Sequence, residues 1–131
     1  MIRCALPLAA FSLLAACQSQ TTPPASSGKS AALTTMEHIA IAAHACWFAT
    51  KDPDFKTYRM SNELNSYSGR PRFLLVPAKH PEAKPLLVVQ AEGPVPNLEA
   101  FGPLMEEPLG ARIQGDLKRW AAGSSSCTAT G

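Results

Sequence analysis

From Thr35 to Thr50 the apolar residues recur at helical spacing, and at 100° per residue Met36, Ile39, Ala40, Ala43, Cys46, Trp47 and Thr50 fall on one broad face. Thr34 and Glu37 stand three residues apart in front of this run, as in a capping box, where a hydroxyl accepts from the third amide and the carboxylate reaches back. The spacing therefore predicts a helix over Thr35 to Thr50. Its other side is not clean: Ile41 and Phe48 project beside Glu37, His44 and Lys51. Such a helix is either buried on two sides or shows an apolar spot to a partner. The arc Glu37, Ile41, His44 and Phe48 is accordingly the candidate partner-binding surface.

Lys51-Asp52-Pro53-Asp54 ends the helix, and Phe55 to Leu64 reads as a weaker strand in which Tyr58 and Met60 share a face. Arg72 to Val76 and Leu86 to Gln90 read as clearer strands, joined by a long polar loop containing Pro77, His80, Pro81, Glu82 and Lys84, which suits a hairpin. Their unbroken apolar runs call for cover on both faces or a partner strand on each side. Gly93-Pro94-Val95-Pro96 breaks the sheet, and Asn97 as cap with Leu98 and Phe101 predicts a short helix stopped at Gly102-Pro103. A final helix is predicted from Pro108 to Ala122. Pro108 suits its first turn, Ile113, Leu117 and Trp120 share a face, Lys118 and Arg119 complement its C-terminal dipole, and Gly123 can end it. The expected fold is one small α+β domain: an N-terminal helix, a three-stranded antiparallel sheet, a short helix and a C-terminal helix.

The 131 residues are 46% apolar and 17% charged, as in an ordinary globular protein, and carry a formal charge of only +2. So balanced a chain lacks the overall field that attracts nucleic acid, which is not an expected partner. The charges are nonetheless segregated. Seven basic and four acidic residues lie between Lys51 and Lys84, whereas Glu92, Glu99, Glu106 and Glu107 follow one another with no basic residue between them. A bipolar surface follows unless the two stretches fold onto each other.

The chain starts with one early positive charge, Arg3, and then runs through about a dozen apolar or small residues to Leu14-Ala15-Ala16-Cys17. The run is too short for a permanent membrane span, which needs about 20 residues. It reads as a signal peptide, and Leu14-Ala15-Ala16-Cys17 resembles the lipobox of bacterial lipoproteins. That resemblance implies cleavage of residues 1–16, diacylglycerol on the Cys17 sulfur, and acylation, palmitate included, of the new amine. Several acyl chains on one residue anchor a protein stably, since each buried CH₂ contributes about 0.8 kcal/mol. Gln18 stands where an Asp is the inner-membrane retention signal in the best-known members, so the resemblance implies the outer membrane, facing the periplasm. Residues 17–33 are rich in Ser, Thr, Pro and Gly. They read as a lipidated N-terminus and flexible tether with a reach of roughly 20 to 24 Å, which leaves 34–131 as the folded domain.

Of the four cysteines, Cys4 leaves with the signal and Cys17 takes the lipid, so Cys46 and Cys127 remain. Export would place both in an oxidising compartment, where the expectation is a disulfide between them that staples the polar C-terminal tail to the first helix, the alternatives being two free thiols or an intermolecular bridge.

Catalytic motifs are sparse. Neither a Gly-x-Ser-x-Gly elbow nor a Cys-His nucleophile signature is present, and there is no Cys-x-x-Cys, phosphate loop or calcium loop. His44 and Cys46 lie about 200° apart on a helix, and His38 and His44 miss the i, i+4 spacing of a metal pair. Glu106-Glu107 and Asp52-x-Asp54 are adjacent acids, which does not make an acid and a base across a cleft. The expectation is therefore a non-catalytic envelope lipoprotein without cofactor or metal, which meets the membrane through Cys17 and binds a protein partner. The alternative is a module for a small apolar ligand or a cell-wall fragment, held by aromatic residues such as Trp47, Phe48, Tyr58, Phe73 and Trp120.

Overall fold

Ser30, not Thr34, starts the first helix. In the computed structural model, which describes residues 28–65 and 69–129, the Ser30 hydroxyl accepts from the Leu33 amide at 3.1 Å and helix α1 runs Ala31–Ala43. The expected leader 1–16, Cys17 and most of the expected tether 17–33 lie outside the described residues. Ala31, Ala32 and Leu33, read as tether, form the first turn of α1. Ala32 is buried there against the core, which rewards an early start, and Glu37 pairs with Lys29 at 2.7 Å instead of closing a capping box. The helix ends in a wide π turn, His44–Ala49, that keeps both Cys46 and Trp47 buried. A 3-10 turn, Pro53–Phe55, carries the chain into the sheet.

The sheet has four antiparallel strands in the order of the chain: β1 Tyr58–Glu63, β2 Arg72–Pro77, β3 Leu87–Glu92 and β4 Asn97–Phe101. The expected short helix at Asn97 is thus a strand, and the sheet has four strands where the pattern predicts three. Leu98 and Ala100 pair with Ala91 and Val89 and face the core, while Asn97, Glu99 and Phe101 face outward. In so short a segment the spacing of Leu98 and Phe101 fits a helix as readily as the true period of two fits a strand. Gly102, with φ of 128°, ends the strand where a Cβ would lie 2.5 Å from the Leu86 carbonyl oxygen. A 3-10 turn, Pro103–Glu106, then leads into helix α2, Pro108–Ala121.

β2 and β3 are apolar because they are the two central strands, flanked on both sides. Phe73, Leu75, Leu87, Val89 and Ala91 point into the layer formed by α1 and α2. On the other sheet face Leu74, Val88 and Phe101 form a cross-strand row, and beside it Glu63, Arg72, Gln90 and Glu99 form a polar one. Arg72 binds Glu63, and Gln90 donates to Glu99 at 2.9 Å.

Trp47 is the hub of the core. It stacks on Phe55 with ring centres 4.5 Å apart, lies 5.2 Å from Trp120 and meets Phe73 edge-on at 6.3 Å. Phe55, Met36, Ile39, Leu104, Ile113 and Trp120 are fully buried around it. α2 approaches the preceding turn at Gly110, where a Cβ would lie 2.4 Å from the Met105 oxygen. The C-terminal tail folds back along α1: Cys127 is bonded to Cys46 across 81 residues, His38 Nε2 donates to the Ser124 carbonyl at 3.0 Å, and Trp120 Nε1 donates to the Ser126 carbonyl at 2.9 Å. No helix among the described residues is long and apolar enough to cross a membrane.

Candidate functional site

One side of the molecule carries both the outward arc of α1 and the β1 edge of the sheet. Between them lies an open groove of about 610 Å³. Ala40, Ile41, Ala45 and Ala49 supply its apolar wall from the helix, and Leu64 and Asn62 line it from the end of β1. Lys29, Glu37 and His44 form a polar rim, on which Lys29 and Glu37 are paired to each other.

Three of the four residues of the predicted arc, Glu37, Ile41 and His44, meet on this groove. Ile41 is 71% exposed, the more prominent for a large apolar side chain on a helix whose other apolar residues are largely buried. Phe48 turns away. It packs edge-on to Phe55 at 6.1 Å, half-buried, with the His44 ring 6.4 Å behind it. It lines a separate hollow of about 210 Å³ together with Lys51, Phe55, Lys56 and Tyr58. The π turn accounts for the split, because its extra residue per turn rotates everything after His44 relative to a regular helix.

The aromatic residues named for a ligand pocket divide in the same way. Trp47, Phe73 and Trp120 fill the core, and only Tyr58 and Phe48 reach the surface. His80 sits on the exposed β2–β3 loop beside Glu82 at 3.4 Å. Glu106 and Glu107 are exposed at the start of α2. Among the described residues no three of His, Cys, Asp and Glu converge as metal ligands. The basic and acidic stretches are brought together in part, since Arg70, just before β2, pairs at 2.7 Å with Glu92 at the end of β3.

A second cluster has no local sequence signature. Arg112 on α2 donates to Asp52 and, at 2.9 Å, to Asp54, and its guanidinium lies 5.3 Å from the Phe55 ring centre. Arg119 and the Trp47 indole both donate to Asp116, which is 5% exposed. The hydrogen bond from Arg112 holds the Asp52 carboxyl below its ordinary range against the opposing effect of burial, and the same bond raises Arg112. The partners stand 58 and 60 residues apart in the chain. Only the fold brings them together, and they pin the turn after α1 to α2.

Compared with protein-family models, with curated proteins and with solved structures, the chain gives no match in any of the three.

Proposed function

We propose that this chain is a non-catalytic interaction module of the bacterial envelope, anchored by lipid on Cys17 to the outer membrane and facing the periplasm. Its contact side is the groove between α1 and β1, where it docks a protein partner. The single observation behind this reading is Ile41, an isoleucine left in water at the lip of an apolar groove although Met36 and Ile39 on the same helix are fully buried. The lipobox-like Leu14-Ala15-Ala16-Cys17 supports the anchor. The decisive experiment places a photo-crosslinking residue at Ile41 in living cells. Discrete protein adducts are expected, and a Cys17→Ser variant should accumulate as unprocessed precursor. Absence of adducts, or normal processing and membrane recovery of Cys17→Ser, refutes the corresponding half.

The groove volume also lies in the range of small-molecule sites, roughly 300 to 1,000 Å³, which favours a small apolar ligand or cell-wall fragment as second reading. Against it, the groove is open along its length, whereas such sites enclose most of the ligand. Saturable binding of a muropeptide or a fatty acid, abolished by Ile41→Asp, would put this second reading first.

A further inference from the structure

Resting on the reading of the α1–β1 side as a contact surface, we infer that its occupant is a second copy of this chain, paired antiparallel through β1 about a two-fold axis at Ser61.

The phase of the β1 ladder fixes which groups are free. The Thr57 carbonyl accepts from the Ala78 amide at 2.9 Å, and in an antiparallel pair such bonded positions alternate. Arg59, Ser61 and Glu63 therefore spend their backbone groups on β2, opposite Val76, Leu74 and Arg72. Tyr58, Met60 and Asn62 direct theirs to the open edge. Pro77, which has no amide to give, stands opposite Tyr58, as this phase requires. β1 is the terminal strand of the sheet, so these donors and acceptors face outward.

Pairing β1 with itself must join outward-facing positions to outward-facing positions, which excludes every odd register. Of the even ones, centring the axis on Ser61 sets Met60 against the partner's Asn62 in bonded pairs. It also places Arg59 opposite the partner's Glu63, twice by symmetry. Centring on Met60 instead faces Arg59 with the partner's Ser61, and centring on Asn62 faces Ser61 with the partner's Glu63. Only one register is charge-complementary. Glu63 binds Arg72 on its own strand neighbour through Oε2, and among the described residues no hydrogen bond engages Oε1, the oxygen that would receive the partner's Arg59. In the chosen register the partner's Tyr58 lies opposite Leu64, the residue that lines the groove, and the exposed arcs bearing Ile41 approach each other across the axis. The other edge lacks this complementarity: the register that pairs the whole of β4 with itself sets Glu99 against Glu99.

Ser61 is exposed and falls on the axis at a non-bonded pair, where Cα atoms stand about 4.5 Å apart, within reach of a disulfide. Full-length Ser61→Cys in its own membranes should form a disulfide-linked dimer on mild oxidation, whereas Lys84→Cys, exposed on the β2–β3 loop, should not. Equal crosslinking of the two overturns the proposal. Added to Ser61→Cys, Arg59→Glu alone and Glu63→Arg alone should each cut the dimer several-fold. Co-expression of the two variants, distinguished by tags, should restore it as a mixed dimer only, and failure of the mixed dimer to form overturns the register. Photo-crosslinking from Ile41 separates this proposal from the reading beneath it. Adducts with a different protein and none with itself overturn the second copy while the contact surface stands, and no adduct of either kind overturns both.

Discussion

The indole N–H of Trp47 donates to Asp116 Oδ2 at 2.8 Å, joining the end of α1 to α2 across 69 residues of chain inside the core. Asp116 also accepts from Arg119, so a nearly buried carboxylate has both a neutral and a charged donor. Removing one member of such a group leaves the others unpaired in a poor solvent, which costs about 3 kcal/mol. Asp116→Ala should therefore lower the melting temperature by more than about 10 °C in a domain of this size. Asp116→Asn, which keeps an acceptor for Trp47, should lose markedly less. Equal losses in thermal melts would show that the charge and not the indole bond matters.

Asp52 makes the stability acid-sensitive. Its carboxyl titrates below the ordinary value of 3.8 in the folded protein because Arg112 donates to it. A carboxyl depressed by folding stabilises the fold above its unfolded value, and that contribution is lost as pH falls through the folded value. The loss is thus confined to acid, below about pH 4. Melts at pH 6 and pH 3 should show a larger fall for the wild-type chain than for Asp52→Asn. The same fall in both would remove Asp52 from the account.

The disulfide between Cys46 and Cys127 closes a loop of 81 residues, worth roughly 4.5 kcal/mol on the chain-entropy argument. Cys127→Ala should lower the melting temperature by at least several degrees. The tail keeps its bonds from His38, Arg119 and Trp120 to the Ser124 and Ser126 carbonyls, so part of the docking persists and the loss falls short of the full figure. Free alkylation of both thiols in protein taken directly from cells would show that the bond does not form there.

Much of this architecture is legible from spacing alone, where a long periodic pattern meets a strong stop. α2 is the clearest case: Pro108, the Ile113-Leu117-Trp120 face and Gly123 each act locally, and the helix lies where they put it. The β2–β3 hairpin is equally plain. The start of α1 is not, because Ala31 to Leu33 become helical through burial of Ala32, a tertiary effect, and Thr34 offers an equally good local cap. β4 hides because five residues cannot distinguish a period of two from one of three and a half. The α1 arc is legible as far as His44. Phe48 falls outside it, because nothing in the local pattern announces the π turn at His44. The Asp52-x-Asp54 pair is plain in the sequence, but its partner Arg112 is not, since it lies 60 and 58 residues away in the chain and meets them only in the fold.

The division of that arc yields the last test. Ile41 is exposed on a regular stretch of helix, so Ile41→Asp should leave the melt nearly unchanged, within about 0.5 kcal/mol, as for surface substitutions generally. It should nonetheless abolish crosslinking from a photo-reactive residue placed at Ala45, which is exposed on the same groove, because burying the new carboxylate in an apolar contact without a partner is expensive. Phe48→Asp acts on folding instead. Phe48 packs half-buried against Phe55 and forms one wall of the aromatic cluster under Trp47, so the same charge there should lower the stability by about 2 to 3 kcal/mol. The two melts, run side by side with the crosslinking assay, bear on the reading directly. If Ile41→Asp melts as early as Phe48→Asp, Ile41 belongs to the core and the groove has lost its apolar lip. If Ile41→Asp melts normally and still crosslinks, the lip is idle and the contact surface must be sought elsewhere. A normal melt with crosslinking lost is the outcome expected of a residue kept in water for a partner.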